Sequence, residues 1–164
     1  MSQEFPRTLK IATVWLLLGV VVFLGFRAWE HQREQSRFSA SGGVIEIRRG
    51  LDGHYHWPGS INGEAFDFLI DTGATGTALS QATARRLQLE PLQRVQSNTA
   101  GGVVSGELVR ADLALQGGVR FERLAMVALP GLGERPLLGM DVLGRLRWQQ
   151  RDGVLTIDTA GARR

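Results

Sequence analysis

The sequence predicts an all-β domain carrying one or two short helices, preceded by a single N-terminal transmembrane helix. Three observations carry that expectation. Twenty-one glycines among 164 residues, with few aromatics, favour many turns and short strands. From Val44 onward the apolar residues recur mostly with period two, the spacing of half-buried strands. Ahead of them, Ile11 to Phe26 is free of charge and bracketed by Lys10 and Arg27, as a membrane segment would be.

The length allows one domain of ordinary size plus an appendage. Hydrophobic residues at 43% and charged residues at 21% are globular values. There is no cysteine, which excludes a disulfide framework, a thiol nucleophile and a thiolate metal site. The pI near 10.5 invites a nucleic-acid reading, but from Ser41 onward fourteen arginines face thirteen acids. The basic excess therefore sits mostly in the first forty residues, and with Lys10 the only lysine the pI reflects the high pKa of arginine. No nucleic-acid partner is expected.

Residues 1–10 form an N-terminal flank, 11–29 an anchor, 30–43 a linker and 44–164 the folded domain. Sixteen charge-free residues fall short of the roughly 20 that a span needs, and the anchor reaches that length if Lys10 and Arg27 snorkel and Trp29 sits in the interface. A cleaved signal peptide is the competing reading. The charged segment from Arg27 to Arg37, in place of a small-residue cleavage site, favours the anchor. Arg7 and Lys10 before the span and Arg27, Arg33 and Arg37 after it leave its orientation undecided by charge. Ser39 to Gly43 reads as the solvated end of the linker.

Val44 to Arg48 alternates as a strand, and Asp52-Gly53 makes a turn. His54–Ile61 and Glu64–Ile70 flank Asn62-Gly63, a strong hairpin signal. His54 and His56 share a strand face; without a third nearby ligand they read as ordinary strand histidines, and no metal is expected. Ser80 caps a short helix, Gln81 to Leu87, with Ala82, Ala84 and Leu87 toward the sheet and Arg85 and Arg86 toward water. Val95 to Leu115 is a long hairpin with Ala100-Gly101-Gly102 near its tip. Gln116-Gly117-Gly118 turns into the strand Val119–Leu129. Met140 to Leu146 is a second short helix, and Trp148–Gln150 and Val154–Asp158 pair across Asp152-Gly153.

The stretch around which the domain is organised is Phe66 to Ser80. Its alternating Phe66, Phe68 and Ile70 read as a strand that ends at Asp71-Thr72-Gly73-Ala74. A carboxylate at the end of a buried strand is costly unless it is hydrogen-bonded or used. The plain alternative is a strand followed by a polar turn, since Asp, Thr and Gly are all turn residues.

Together with Leu137-Leu138-Gly139 late in the chain, Leu79-Ser80 and the glycine-bearing hairpin from Thr99 to Gly106, this turn resembles the retropepsin-like aspartic proteases, in particular their small membrane-anchored bacterial members. The likeness runs from about Gly53 to Asp158. It implies a closed β-barrel, hydrolysis of polypeptide substrates, no cofactor, and a domain on the periplasmic side of a bacterial inner membrane. Asp71 would be the catalytic acid. Thr72 and Gly73, with Leu138 and Gly139 packed behind them, would support the turn; Ala74, Thr75, Ala100, Gly101 and Gly102 would bind substrate, the last three on a flap. Gly76 departs from the family, which would place a bulkier residue there, and implies a more flexible exit from the turn.

Such chemistry needs two carboxylates sharing one proton. The chain has one Asp-Thr-Gly and no internal repeat, and Asp52, Asp141 and Asp152 lack the hydroxyl and glycine that follow Asp71. The second acid would come from a second copy in a two-fold homodimer. Two rival readings keep the fold without the chemistry: a membrane-tethered module that binds a peptide or protein in the same groove, and an anchor whose β-domain mainly dimerises.

Overall fold

In the computed structural model, residues 13, 15–25, 27, 38–99 and 101–159 are described. They belong to two units, 1–37 and 38–164. In the first, residues 15–25 are helical, with large apolar side chains from Trp15 to Leu24 exposed. No helix among the described residues is long and apolar enough to cross a membrane. The expected anchor, 11–29, lies partly outside the described residues.

Among the described residues of the second unit there are eleven strands and two short helices. In order they are β1 (Phe38–Ser41), β2 (Val44–Arg48), β3 (Tyr55–Ile61), β4 (Glu64–Ile70), β5 (Ala78–Ser80), α1 (Gln81–Arg86), β6 (Gln93–Thr99), β7 (Gly102–Leu115), β8 (Val119–Leu129), β9 (Leu137–Leu138), α2 (Met140–Leu143), β10 (Arg147–Arg151) and β11 (Val154–Asp158). The larger sheet runs β3-β4-β9-β5-β8-β7-β6, and β3 also pairs with β7. That last pairing closes six strands into a ring, leaving β6 as an extension of β7. A closed ring has no open edge to aggregate. The smaller sheet runs β1-β2-β11-β10.

Sequence accounts for most of these elements. Asn62 (φ 49°) and Gly63 (φ 85°) are both left-handed, as a two-residue hairpin turn demands, and they set the β3/β4 register. Trp57, Ile61 and Phe68 are fully buried with Leu113, Met126 and Leu138, and the Trp57 indole donates to Gln116 O at 2.8 Å. The alternation in β7 is realised, with Val109, Ala111, Leu113 and Leu115 all buried.

Three details differ from expectation. Phe38–Ser41, assigned to the linker, is a strand paired antiparallel with β2 around Gly42-Gly43. Its small polar residues carry little strand preference, so partner and turn dictate the conformation: both glycines have positive φ and Phe38 packs on the core. In α1 the buried positions are Thr83 and Ala84, while Ala82 is exposed. Thr83 tolerates burial because its hydroxyl accepts from Ser80 Oγ at 2.9 Å, while Ser80 Oγ accepts from Thr83 N–H at 3.0 Å. The second helix ends at Leu143 because Gly144 caps it, and Met140 stays 36% exposed.

Candidate active site

β4 delivers the chain to the 71–77 turn and β5 carries it away. β9 lies between them, parallel to β4 with Ile70 opposite Leu138, and antiparallel to β5 with Ala78 opposite Leu137. A two-residue strand is therefore a wedge that fixes the distance between the two arms. It exists because Leu138 is fully buried and because Leu69 and Asp71 donate their N–H groups to Pro136 O at 2.9 Å and Leu138 O at 3.0 Å.

Asp71 thus leaves the barrel with its backbone anchored. Its Oδ1 accepts the Gly73 N–H at 2.9 Å, and its carbonyl accepts the Ala74 N–H at 3.2 Å. One carboxylate oxygen is oriented by the turn and Oδ2 is left for other work. A Cβ on Gly73 would sit 3.2 Å from that same Oδ1, so glycine keeps the carboxylate's bed clear. Thr72 is exposed and makes no hydrogen bond among the described residues.

The outgoing arm is stitched to the start of α2. Met140 N–H donates to Ala74 O at 2.8 Å and Asp141 N–H to Thr75 O at 3.1 Å. Gly139 packs directly on Gly76, where an added Cβ would lie 2.5 Å from the Gly76 carbonyl carbon. A Cβ on Gly76 itself would meet open space. Gly76 matters as a flat backbone surface for Gly139, and the arm it sits in is held by backbone and side-chain bonds to its neighbours.

Two residues with a structural share in the site escaped the sequence reading. Thr77, fully buried, donates its hydroxyl to Asp141 Oδ1 at 2.9 Å and accepts the Gly139 N–H at 3.3 Å. Asp141 Oδ1 also accepts the Val142 N–H at 3.0 Å. Asp141 therefore holds the wedge to the turn. Replacing Thr77 by Val is expected to destabilise the domain by about 1–3 kcal/mol, the cost of stranding buried polar partners, with Thr77→Ser recovering most of it in urea unfolding.

At the flap, β6 and β7 pair down to Thr99 opposite Gly102. The Thr99 hydroxyl donates to Gly102 O at 2.8 Å and accepts the Gly101 N–H at 3.2 Å, closing the tip on itself. Gly102, at φ 108°, occupies backbone space closed to other residues. Ala100 lies outside the described residues. No hydrogen bond or ion pair among the described residues joins this tip to the Asp71 turn.

The two strand histidines converge on Asp52. His56 Nε2 lies 2.7 Å and His54 Nδ1 3.9 Å from Asp52 Oδ2, and the His54 N–H reaches Asp52 Oδ1 at 3.1 Å. Partial burial pushes the Asp52 carboxyl up, but the bonds from His54 N–H and His56 and the two imidazole charges outweigh it and hold the carboxyl below its ordinary value of 3.8. A depressed acid stabilises the fold above its unfolded value, and that contribution is lost as pH falls through the folded value. Comparing urea midpoints of the parent chain and Asp52→Asn from pH 6 to pH 2 is expected to show the parent ahead above 3.8 and the two converging below it.

An Asp-Thr-Gly turn at the mouth of a closed barrel, wedged from behind by a Leu-Leu-Gly strand, is the arrangement of an aspartic-protease half-site. The comparisons agree. Residues 57–145 match the family described as "gag-polyprotein putative aspartyl protease", and the chain belongs to that family of retropepsin-like aspartic proteases. An uncharacterised protein of Rickettsia prowazekii is 28% identical over 169 residues, covering 94% of this chain and 73% of that protein. A Sinorhizobium protein, also uncharacterised, is 28% identical over 110 residues, which span 65% of this chain but about half, 47%, of the relative. Among solved structures, a retropepsin-like aspartic protease from Rickettsia conorii superposes with a TM-score of 0.56 at 23% identity, over 73% of this chain and 93% of that one. At that identity the likeness speaks for the fold.

Proposed function

We propose that this chain is a membrane-anchored aspartic endopeptidase that works as a homodimer, hydrolysing peptide bonds with a water held between two copies of Asp71. The observation that carries the reading is the Asp71 turn, whose backbone is anchored by its own hydrogen bonds while Oδ2 and the Thr72 hydroxyl find no partner among the described residues. One turn supplies one carboxylate, and the chemistry needs two close enough to share a proton. A two-fold axis beside Asp71 provides the second and gives Thr72 a partner in the opposite turn.

In the assembled site one Asp71, ionised, takes a proton from the water. The other, protonated, donates to the scissile carbonyl oxygen as the water oxygen attacks its carbon. The tetrahedral intermediate collapses when the amide nitrogen is protonated and the carbon–nitrogen bond breaks, and the pair returns to a single shared proton. An extended substrate would lie along the floor formed by Ala74 and Thr75 under the 99–102 tip, bound as an added strand.

Residues 11–29 are proposed to hold the enzyme in a bacterial inner membrane with the domain on the periplasmic side. The charge-free run between Lys10 and Arg27, the exposed apolar side chains from Trp15 to Leu24 and the bacterial relatives support this. The test is to titrate the full chain in detergent over a broad concentration range, reading cleavage of a mixed peptide library from pH 4 to 7 and mass together. Activity per chain should rise with concentration in step with dimer mass. Activity carried by a monomer, or a dimer that cuts nothing across that range, would reject it.

A further inference from the structure

Outside the site, one cluster of ionisable side chains bridges three segments. His56 on β3 stands between two carboxylates: its Nε2 is 2.7 Å from Asp52 Oδ2, in the turn before β3, and its Nδ1 is 3.1 Å from Asp67 Oδ2, on β4. Arg135 faces the same pair, with Nη1 3.9 Å from Asp52 Oδ2 and Nε 3.8 Å from Asp67 Oδ2. His54 Nδ1, 3.9 Å from Asp52 Oδ2, completes the charged groups around the ring. The imidazole side chain is only 15% exposed, and its Nδ1 is buried without an aligned hydrogen bond.

A neutral imidazole carries one N–H and one lone pair. Whichever nitrogen held the proton, the other would turn its lone pair toward a carboxylate oxygen at 2.7 or 3.1 Å. Only the imidazolium offers an N–H to both, and its charge with that of Arg135 balances Asp52 and Asp67. Arg135 is followed at once by Pro136, whose carbonyl accepts the Leu69 N–H, and then by β9, whose Leu138 carbonyl accepts the Asp71 N–H.

We propose that His56 is a positioning residue for the Asp71 turn: through Asp52, Asp67 and Arg135 it clamps the approach to β9 against β4. The inference deepens the protease reading and rests on it for its catalytic meaning, though the clamp itself is a statement about backbone bonds.

The test is hydrogen exchange of the Leu69 and Asp71 amides in the full chain, resolved by fragmentation mass spectrometry and compared between the parent chain and its variants. In His56→Gln protection of both should be about tenfold below that of the parent chain, the order expected for a charge-assisted contact. In Arg135→Gln, a substitution at a 54% exposed side chain, it should lie between. The Gln116 amide, bonded to Pro58 O in the middle of β3, is the reference. Equal protection in parent and His56→Gln overturns the proposal, as does a loss shared by Gln116, which would mark general destabilisation. Peptide cleavage by the same samples separates the two readings. A parent chain that shows the exchange pattern and cuts nothing loses the protease function and keeps the clamp; cleavage with an unchanged exchange pattern does the reverse.

Discussion

Asp71→Asn is expected to lower peptide cleavage by on the order of 10⁴-fold, the scale seen when one member of a concerted catalytic set is removed, while leaving dimer mass and urea midpoint close to those of the parent chain. Asparagine keeps the carbonyl oxygen that accepts the Gly73 N–H at 2.9 Å, so the turn retains its internal bond. What it loses is the exchangeable proton and the charge that activates water. In a dimer the substitution enters both halves of the site at once. Mixing parent and variant chains sharpens the result: mixed dimers hold a single carboxylate, so activity should fall with the square of the parent fraction if they are inactive. A linear decline would mean that each chain works alone and would reject the two-fold site. If Asp71→Asn cleaves like the parent, the protease assignment fails and a binding role on the same fold takes its place.

Gly139→Ala is expected to be strongly damaging although it adds only one methyl. Gly139 has φ −94° and ψ −176°, which alanine adopts freely, so backbone preference is not the obstacle. The obstacle is space: the new Cβ would meet the Gly76 carbonyl carbon at 2.5 Å, its oxygen at 2.6 Å and its Cα at 2.9 Å. All three atoms are backbone, held by the bonds that Met140 and Asp141 send to Ala74 and Thr75, and they cannot rotate away as a side chain would. The wedge must back out or the turn must move. A loss of about 3 kcal/mol is expected in urea unfolding, at the upper end for overpacking by one methyl, with cleavage reduced on the order of 10²-fold by displacement of the carboxylate. Gly76→Ala is the control, since its Cβ enters open space and should cost far less. Equal effects from the two substitutions would show that the close approach has been misjudged.

These two residues mark how far the sequence could be read. Asp71 stood out because strand periodicity stops at it, while the following hydroxyl and glycine, ordinary turn residues by themselves, gained weight only with the rest of the ordered set. Leu138 and Gly139 were legible through the family likeness, but not the reason glycine is required, which lies in the backbone of a residue 63 positions earlier. Thr77 and Asp141 carried no local mark. A threonine after a glycine and an acid in the first turn of a helix are each ordinary, and only the topology that inserts β9 between β4 and β5 brings them together. The hairpins at Asn62-Gly63, Gln116-Gly118 and Asp152-Gly153 were readable because turn chemistry is local. β1 was not, since Phe38-Ser39-Ala40-Ser41 becomes a strand only when β2 is there to pair with it.

The smaller sheet has a consequence for how the protein is made. β2 pairs with β11 from Val44 opposite Asp158 to Arg48 opposite Val154, and Thr159 closes the end through its N–H and hydroxyl, both donating to Gly43 O at 2.8 Å. The β1/β2 hairpin thus finds its next neighbour only in β11, more than a hundred residues later in the chain. During synthesis β1 and β2 emerge first and wait for nearly the whole domain to follow. Non-local pairing of this kind is slow to form and leaves apolar edges open in the interval. Ile45 and Ile47, fully buried once β11 arrives, are the side chains a nascent chain must keep from aggregating. A truncation before Val154 would leave them permanently without cover, even though it removes no residue of the Asp71 turn or its wedge.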